Sequence, residues 1–186
     1  MFSFQEKDGK QVLKQSKIFF NCNLFILVIS YFKQLCFSLW PFGRGIYHNR
    51  NRDLVLWINE SDHVIIKSIE KRGNVRMMTS RLRSFLKSIS KHLKFVQEEK
   101  YGYLSVNPAN IGAGLEVSII ARLPNLAKNY SKLKLLCENY DIVVRRQHQF
   151  FFELASTKKL GLSEFQIIVT FFNGVKEIIE YERSLL

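Results

Sequence analysis

The stretch VLWINESDHVIIKSI, residues 55–69, decides the fold because its pattern predicts two strands joined by a polar turn. Both apolar runs are rich in β-branched residues, as strands usually are, and the turn between them spans residues 59–63. The turn holds two carboxylates and an imidazole, which are side chains that active sites use. It is therefore either an active site or a scaffold whose polar side chains satisfy its own backbone.

Elements outside this hairpin predict an α+β fold. Apolar residues at steps of three and four predict a helix after Asn74, with an apolar stripe from Val75 to Leu93 and a basic opposite face that includes Arg81. Further strands are expected at 102–107, 115–123, 141–146 and 150–156, and a second helix after Pro124 with Leu126, Tyr130, Leu133 and Cys137 inward. Without strict βαβ alternation, the order favours a partial antiparallel sheet flanked by helices.

The last helix is predicted to start at a capping box made by Ser163 and Gln166. Its spacing of apolar residues predicts a buried stripe on one face. The residues of that predicted stripe are Phe165, Ile168, Phe172, Val175 and Ile179.

Composition limits the class of protein. A chain of 186 residues with 47% hydrophobic residues can bury a sizeable core. Its net charge of +12 points to an anionic partner, which is a nucleic acid, a membrane surface or a phosphate-bearing molecule, or else to a basic but inert surface. Cys22, Cys36 and Cys137 lack the spacing of a zinc site, so we expect free thiols in the cytoplasm.

Residues 1–39 differ in amino-acid composition from the rest of the chain and are expected to be a separate, unassigned segment. Their apolar stretch, 18–32, has fifteen residues, fewer than the about 20 that cross a bilayer as a helix. It is also followed by no convincing signal-peptide cleavage site. We therefore do not expect a membrane partner, and we expect poor packing of this stretch on the domain formed by residues 40–186.

Five ordered motifs between Trp40 and the C-terminus resemble the phosphagen (ATP:guanidino) kinase family, and the arginine kinases most closely. They are WPFGRGIYHN (40–49), LVLWINESDH (54–63), YGYLSVNPANIGAGLEVSI (101–119), LPNLAKN (123–129) and KKLGLSEFQ (158–166). The resemblance implies an incomplete C-terminal catalytic domain with the family's glutamine synthetase-like sheet. It also implies phosphoryl transfer from MgATP to a guanidino substrate such as arginine, with ATP or ADP and Mg²⁺ as cofactors and dimerisation with a family member.

The positions that hold the guanidino substrate in the family carry other side chains here. Ser61 stands where the family's turn has a glutamate that grips the guanidino group and can act as a base. Asn107 stands in place of a substrate-touching cysteine. Phe150 falls where the family has a second substrate glutamate, in a loop that is several residues shorter here. The resemblance therefore implies that no catalytic residue is intact and that no guanidino substrate is bound.

The positions that hold nucleotide are only partly kept. Ile65 and Glu116 replace two phosphate-binding arginines, and Ile120 replaces a histidine beside the adenine. Glu116 is expected to repel phosphate. A third phosphate-binding arginine is kept, and its neighbours supply a small anion site or a solvated strand edge. The resulting nucleotide-binding prediction names Arg145, Arg146 and His148.

Three functions fit these observations. The first, which we predict, is a degenerate and inactive guanidino kinase domain. The second is an active guanidino kinase subunit that keeps ATP binding and works beside a complete partner. The third is a basic anion- or nucleic-acid-binding protein that uses the helix within residues 74–94. No aromatic side chains are interleaved with the basic ones for base stacking, so we do not expect nucleic acid as a partner.

Overall fold

The computed structural model describes residues 2–3, by their backbone, and residues 43–185. Contacts divide the chain into two compact units, Met1–Phe95 and Val96–Leu186, so the contact boundary falls within the predicted domain 40–186. The apolar stretch 18–32 lies outside the described residues.

The first unit contains a four-stranded antiparallel sheet. Its strands follow one another in chain order, and the central pair is the hairpin predicted from residues 55–69. Leu54, Val55 and Trp57 are the buried residues of this hairpin. The strands are β1 (Phe2–Ser3), β2 (Gly45–His48), β3 (Leu54–Ile58) and β4 (Val64–Ser68).

Helix α1 (Val75–Ile89) packs against β4 but buries none of its residues fully. The helix begins after Asn74, as expected, and Asn74 is its N-cap, whereas Leu93 lies beyond the helix end. The prediction that Arg81 lies on a solvated face was wrong. The Arg81 guanidinium lies 3.2 Å from the Asp53 carboxylate and donates to the Ile69 carbonyl at 3.0 Å. A charged group turns inward only where such partners replace water.

The second unit contains a two-stranded and a three-stranded antiparallel sheet. The strand predicted at 102–107 is only two residues long, and a short 3₁₀-helix, Pro108–Asn110, capped by Asn107, follows it. In the larger sheet the order is β7-β9-β8, which leaves β7 and β8 at its two edges. The strands of this unit are β5 (Gln97–Glu98), β6 (Gly102–Tyr103), β7 (Ser118–Arg122), β8 (Ile142–His148) and β9 (Phe151–Ser156).

Helices α2 (Tyr130–Glu138) and α3 (Glu164–Ser184) contribute to the main core of the second unit. The inward positions predicted for α2 and the turn before it are confirmed except for Tyr130, which is 40% exposed. The core is an apolar cluster of strand and helix side chains. Its fully buried members include Leu123, Leu126, Leu133, Cys137, Phe152, Leu154, Phe171 and Ile178.

The capping box of α3 is present as predicted, with Ser163 and Gln166 bonding to each other's backbone N–H groups. The predicted stripe is confirmed only in part: Val175 is buried and Ile168, Phe172 and Ile179 pack partly buried against the core, but Phe165 is 74% exposed and the fully buried face is shifted by one residue. A Cβ at Gly174 would lie 2.6 Å from the Tyr140 side chain, so the glycine face of α3 is the one that approaches the core most closely. The buried residues of α3 are Ile167, Phe171, Gly174, Val175, Ile178 and Glu182.

Candidate functional site

The turn between β3 and β4 is held by hydrogen bonds among its own residues. Asn59 adopts φ +53°, a left-handed conformation that asparagine tolerates, and its N–H donates to the His63 carbonyl at 2.9 Å. The Glu60 carboxylate accepts the Ser61 N–H at 2.6 Å, and the Asp62 carboxylate accepts the His63 N–H at 2.9 Å. These contacts match the scaffold interpretation, in which the polar side chains satisfy the backbone of the turn.

Two of the substituted positions, Ser61 and Ile65, lie in the first unit. Their side chains supply neither a carboxylate nor a guanidinium. Ser61 is exposed on the turn. Ile65 is half-buried in β4, where it pairs with Trp57 of β3. In the strand its side chain contributes to apolar packing, which is the ordinary role of a β-branched residue.

Glu116 and Asn107 lie in the second unit, and each has a local structural partner. The Asn107 side chain accepts the Ala109 N–H at 3.1 Å and so caps the 3₁₀-helix. The Glu116 carboxylate lies 3.0 Å from the Nζ of Lys159, whose side chain is only 9% exposed. Lys159 also donates to the Asn110 side chain at 2.6 Å. The ion pair offsets much of the repulsion of phosphate that was expected of Glu116.

Two positions from the family resemblance, Ile120 and Arg145, lie in one cross-strand row of the β7-β9-β8 sheet. Ile120 of β7 pairs with Glu153 of β9, which in turn pairs with Arg145 of β8. Ile120 is 70% exposed, so this face of the sheet is open at the row. Residues two apart along each strand share this open face, because side chains alternate between the two faces.

Arg145 is the cation of this row to which the resemblance assigns phosphate binding, and it already has a partner. Its Nη1 lies 3.8 Å from the Glu153 carboxylate, which also accepts a hydrogen bond of 2.8 Å from Gln147. The Arg145 side chain is 51% exposed, so a surface ion pair of this length holds it only weakly. The guanidinium is therefore still accessible to an anion.

Arg146 belongs to the opposite face, and strand alternation gives the reason. Its guanidinium lies 5.4 Å from the centre of the Phe152 ring and 5.8 Å from that of Tyr130, which are cation–π distances. It also donates to the Ala127 carbonyl at 3.5 Å. The structure therefore separates Arg146 from Arg145, although the two are adjacent in sequence.

His148 returns to the open face through a bulge in β8. The register shifts between Arg146 and His148, and His148 pairs with Phe151 of β9. The chain then turns back through only two residues, of which Phe150 is 36% exposed. A turn of this length has no space for a long loop, so the position at which the resemblance places a second substrate glutamate lies in a tight hairpin.

Metal ligands are not clustered within residues 43–185, where no group of three His, Cys, Asp or Glu side chains is placed to hold an ion. Within the same residues, the helices are all too short or too polar to span a bilayer.

Comparison with known proteins gives one family throughout. The sequence profile described as ATP:guanido phosphotransferase, C-terminal catalytic domain, matches residues 2–185. The chain is 34% identical over 157 residues to arginine kinase of Turbo cornutus, a match that covers 80% of this chain and 44% of that protein. It is 29% identical over 188 residues to taurocyamine kinase of Schistosoma mansoni, with 97% of this chain and 24% of that protein covered.

Solved structures agree with the sequence matches. The substrate-free duplicated taurocyamine kinase from Schistosoma mansoni superposes with a TM-score of 0.83 at 27% identity, over 97% of this chain and 24% of that one. A lombricine kinase structure superposes with a TM-score of 0.85 over 99% of this chain and 53% of that one, and at 23% identity it shows the fold alone. The chain spans less than half the length of the curated relatives it matches. It belongs to the ATP:guanido phosphotransferase family and corresponds to the C-terminal catalytic domain.

Proposed function

We propose that this chain is a catalytically inactive guanidino kinase domain that binds nucleotide weakly on the open face of the β7-β9-β8 sheet. The observation that carries the proposal is the ion pair between Glu116 and Lys159, at 3.0 Å, where the resemblance implies a phosphate-binding arginine. A carboxylate that is paired with a buried lysine cannot stabilise the charge of a phosphoryl group in transfer.

Effect sizes favour inactivity. The loss of one preorganised charge stabiliser lowers a rate by roughly 10²- to 10³-fold. Ile65 and Glu116 remove two such groups, and Ser61 removes the carboxylate that grips the guanidino group and can act as a base. These losses do not add simply within one site, but all of them lower the rate.

Weak nucleotide binding is proposed because the open face has the right chemistry for phosphate. Arg145 is accessible and guanidinium groups bind phosphate oxygens with charge-assisted hydrogen bonds. His148 lies on the same face of the sheet. Mg²⁺ in kinases is bound largely through the phosphates of the nucleotide, so it would arrive with ATP and supply charge neutralisation there.

Enzyme assays test the proposed inactivity directly. The purified chain is incubated with MgATP and either arginine or taurocyamine, and release of ADP is compared with that of a heat-denatured sample. We expect no guanidine-dependent release, because three positions that contact the reacting groups are substituted. A guanidine-dependent rate well above the denatured control would contradict the proposal and favour an active subunit.

A second candidate function rests on the basic surface of α1. Residues 71–94 contain eight Lys or Arg residues and no Asp or Glu, and Arg76, Arg83 and Lys87 are exposed on one side of the helix. If this surface binds nucleic acid, affinity should fall steeply as salt rises, because phosphate contacts release counterions. A flat salt dependence for a DNA or RNA duplex would eliminate this candidate.

A further inference from the structure

The open face carries one more cation, which the family resemblance does not assign. Arg122 is the last residue of β7, and its cross-strand partner is Phe151 of β9. Phe151 pairs on its other side with His148 of β8. Arg122 and His148 therefore bracket an aromatic ring in the row next to the one that holds Arg145.

Arg122 is free where Arg145 is not. Within residues 43–185 the Arg122 guanidinium takes part in no ion pair, hydrogen bond or ring stacking, and the residue is exposed. Arg145, by contrast, shares the Glu153 carboxylate with Gln147. An anion that approaches this face meets an unpartnered guanidinium at Arg122, whereas at Arg145 it has to displace a carboxylate.

Strand geometry brings the cations within reach of one ligand. Adjacent strands lie about 4.8 Å apart, so the Cα atoms of Arg122 and His148 are roughly 10 Å apart, with Phe151 between them. Arg145 lies two strands from Arg122 and one row further along the same face, so their Cα atoms are roughly 12 Å apart, a distance that two arginine side chains can reach across to one ligand. Arg122, Arg145 and His148 therefore surround the same area of the sheet.

The centre of this area is apolar. Phe151 is 42% exposed and Ile120 is 70% exposed, although large apolar side chains are usually buried. An apolar floor bordered by guanidinium and imidazole groups suits a ligand that combines a flat ring with phosphates. A nucleotide has that combination, since its base can stack on the floor while its phosphates contact the cations.

We infer that Arg122 is a phosphate-binding residue of this face, and that it binds a nucleoside diphosphate together with Arg145 and His148. The inference rests on the proposed function, because it assigns a further residue to the same nucleotide site. It explains how a chain that lacks arginines at positions 65 and 116 still offers two guanidinium groups to phosphate.

Calorimetric titration with ADP and with adenosine tests the inference. Arg122→Ala should weaken ADP binding about tenfold, the typical effect of one charge-assisted hydrogen bond, and should leave adenosine binding unchanged. Arg122→Lys, which keeps the charge, should recover part of the loss. Arg183→Ala is the matched control, because Arg183 is an exposed arginine of the same unit at the end of α3. Circular dichroism confirms that each variant is folded.

The possible outcomes separate this inference from the proposed function. If Arg145→Ala weakens ADP binding while Arg122→Ala behaves like Arg183→Ala, the assignment of Arg122 is wrong and the nucleotide site stands. If Arg122→Ala weakens ADP and adenosine binding equally, Arg122 does not act through phosphate, and the inference again fails. If the unaltered chain does not bind ADP, the inference and the proposed nucleotide site are both wrong.

Discussion

Glu182, near the end of α3, is a buried carboxylate that acts at a distant loop. Its two oxygens accept the backbone N–H groups of Asn125 and Leu126, each at 2.8 Å. These N–H groups belong to the start of the 3₁₀-helix Leu126–Lys128, where no other residue of the helix accepts them. Glu182 therefore caps this short helix from 56 residues away and fixes it against α3.

Replacing Glu182 tests this cap. Glu182→Ala should lower the free energy of unfolding by about 2–4 kcal/mol, because two N–H groups, one of them buried, lose their acceptors. Glu182→Gln keeps one acceptor oxygen and should cost about half as much. The measurement is urea unfolding followed by circular dichroism.

The control for this prediction is Glu180→Ala, which removes a glutamate of the same helix that is 63% exposed and only 3.9 Å from Lys176. It should change stability by less than about 0.5 kcal/mol. Equal losses for the variants at positions 180 and 182 would refute the capping role.

The buried Cys137 thiol makes the free energy of unfolding depend on pH in the alkaline range. Burial, with a smaller contribution from the Glu138 charge, raises the pKa of the Cys137 thiol from 9.0 to about 11. Between these values the unfolded chain has lost the proton that the folded chain keeps, so the unfolding free energy falls as pH rises. The stabilisation is fully present below pH about 9 and is lost by pH about 11, an amount of roughly 2–3 kcal/mol.

Cys137→Ala should therefore flatten the decline in unfolding free energy between pH 9 and 11. A residual decline is expected, because a hydrogen bond to Glu177 raises the pKa of Tyr140 as well. Urea unfolding at intervals of half a pH unit measures the slope. Parallel slopes in the variant and the unaltered chain would show that Cys137 is not the titrating group.

Among the elements, α3 shows what a sequence pattern resolves and what it does not. Its start was predictable, because a capping box is a local signal in which Ser163 and Gln166 are three residues apart. The buried face of α3 could not be predicted in the same way, because one apolar stripe can be drawn through Phe165 and another through Phe171. The contact between Tyr140 and Gly174 settles the phase, and that contact joins residues 34 positions apart in the chain.

Two phenylalanine substitutions separate the observed stripe from the predicted one. Phe171→Ala should lower the unfolding free energy by about 3–5 kcal/mol, because Phe171 is 1% exposed and its removal leaves a cavity. Phe165→Ala should cost less than about 0.5 kcal/mol, since Phe165 is 74% exposed. Thermal unfolding by calorimetry compares the two, and a larger loss at position 165 would restore the predicted stripe.

The strands of the candidate site were also predictable only in part. The hairpin of β3 and β4 was predictable from its alternating apolar runs and its polar turn. The separation of Arg145 from Arg146 follows from strand alternation alone and was open to sequence reasoning. The ion-pair partners of Arg145 and Glu116, which are Glu153 and Lys159, could not be predicted from sequence. Ion pairs depend on the register of strands and loops that are far apart in the chain.

At the scale of the whole molecule, the family profile covers more of the chain than the five motifs do. The motifs begin at Trp40, whereas the profile match begins at residue 2. Strand β1 (Phe2–Ser3) pairs with β2 through Phe2–Ile46 and Ser3–Gly45, so it occupies the edge of the first sheet. We therefore propose that residues 2–39 belong to the family domain, although the motifs left this segment unassigned.

This proposal departs from the expectation that the stretch 18–32 packs poorly on the domain formed by residues 40–186. Removing residues 1–37 deletes β1 and exposes the backbone N–H and C=O groups of β2, which then become a template for pairing with another chain. A fragment of residues 38–186 should consequently unfold at a lower temperature than the full chain and associate at lower concentration. Light scattering and thermal unfolding, measured side by side at matched concentrations, check both effects. In the full chain β2 pairs with β1 on one side and with β3 on the other, so removing β1 makes β2 an edge strand. A fragment that is monomeric and more stable than the full chain would show that β1 is not needed to protect β2.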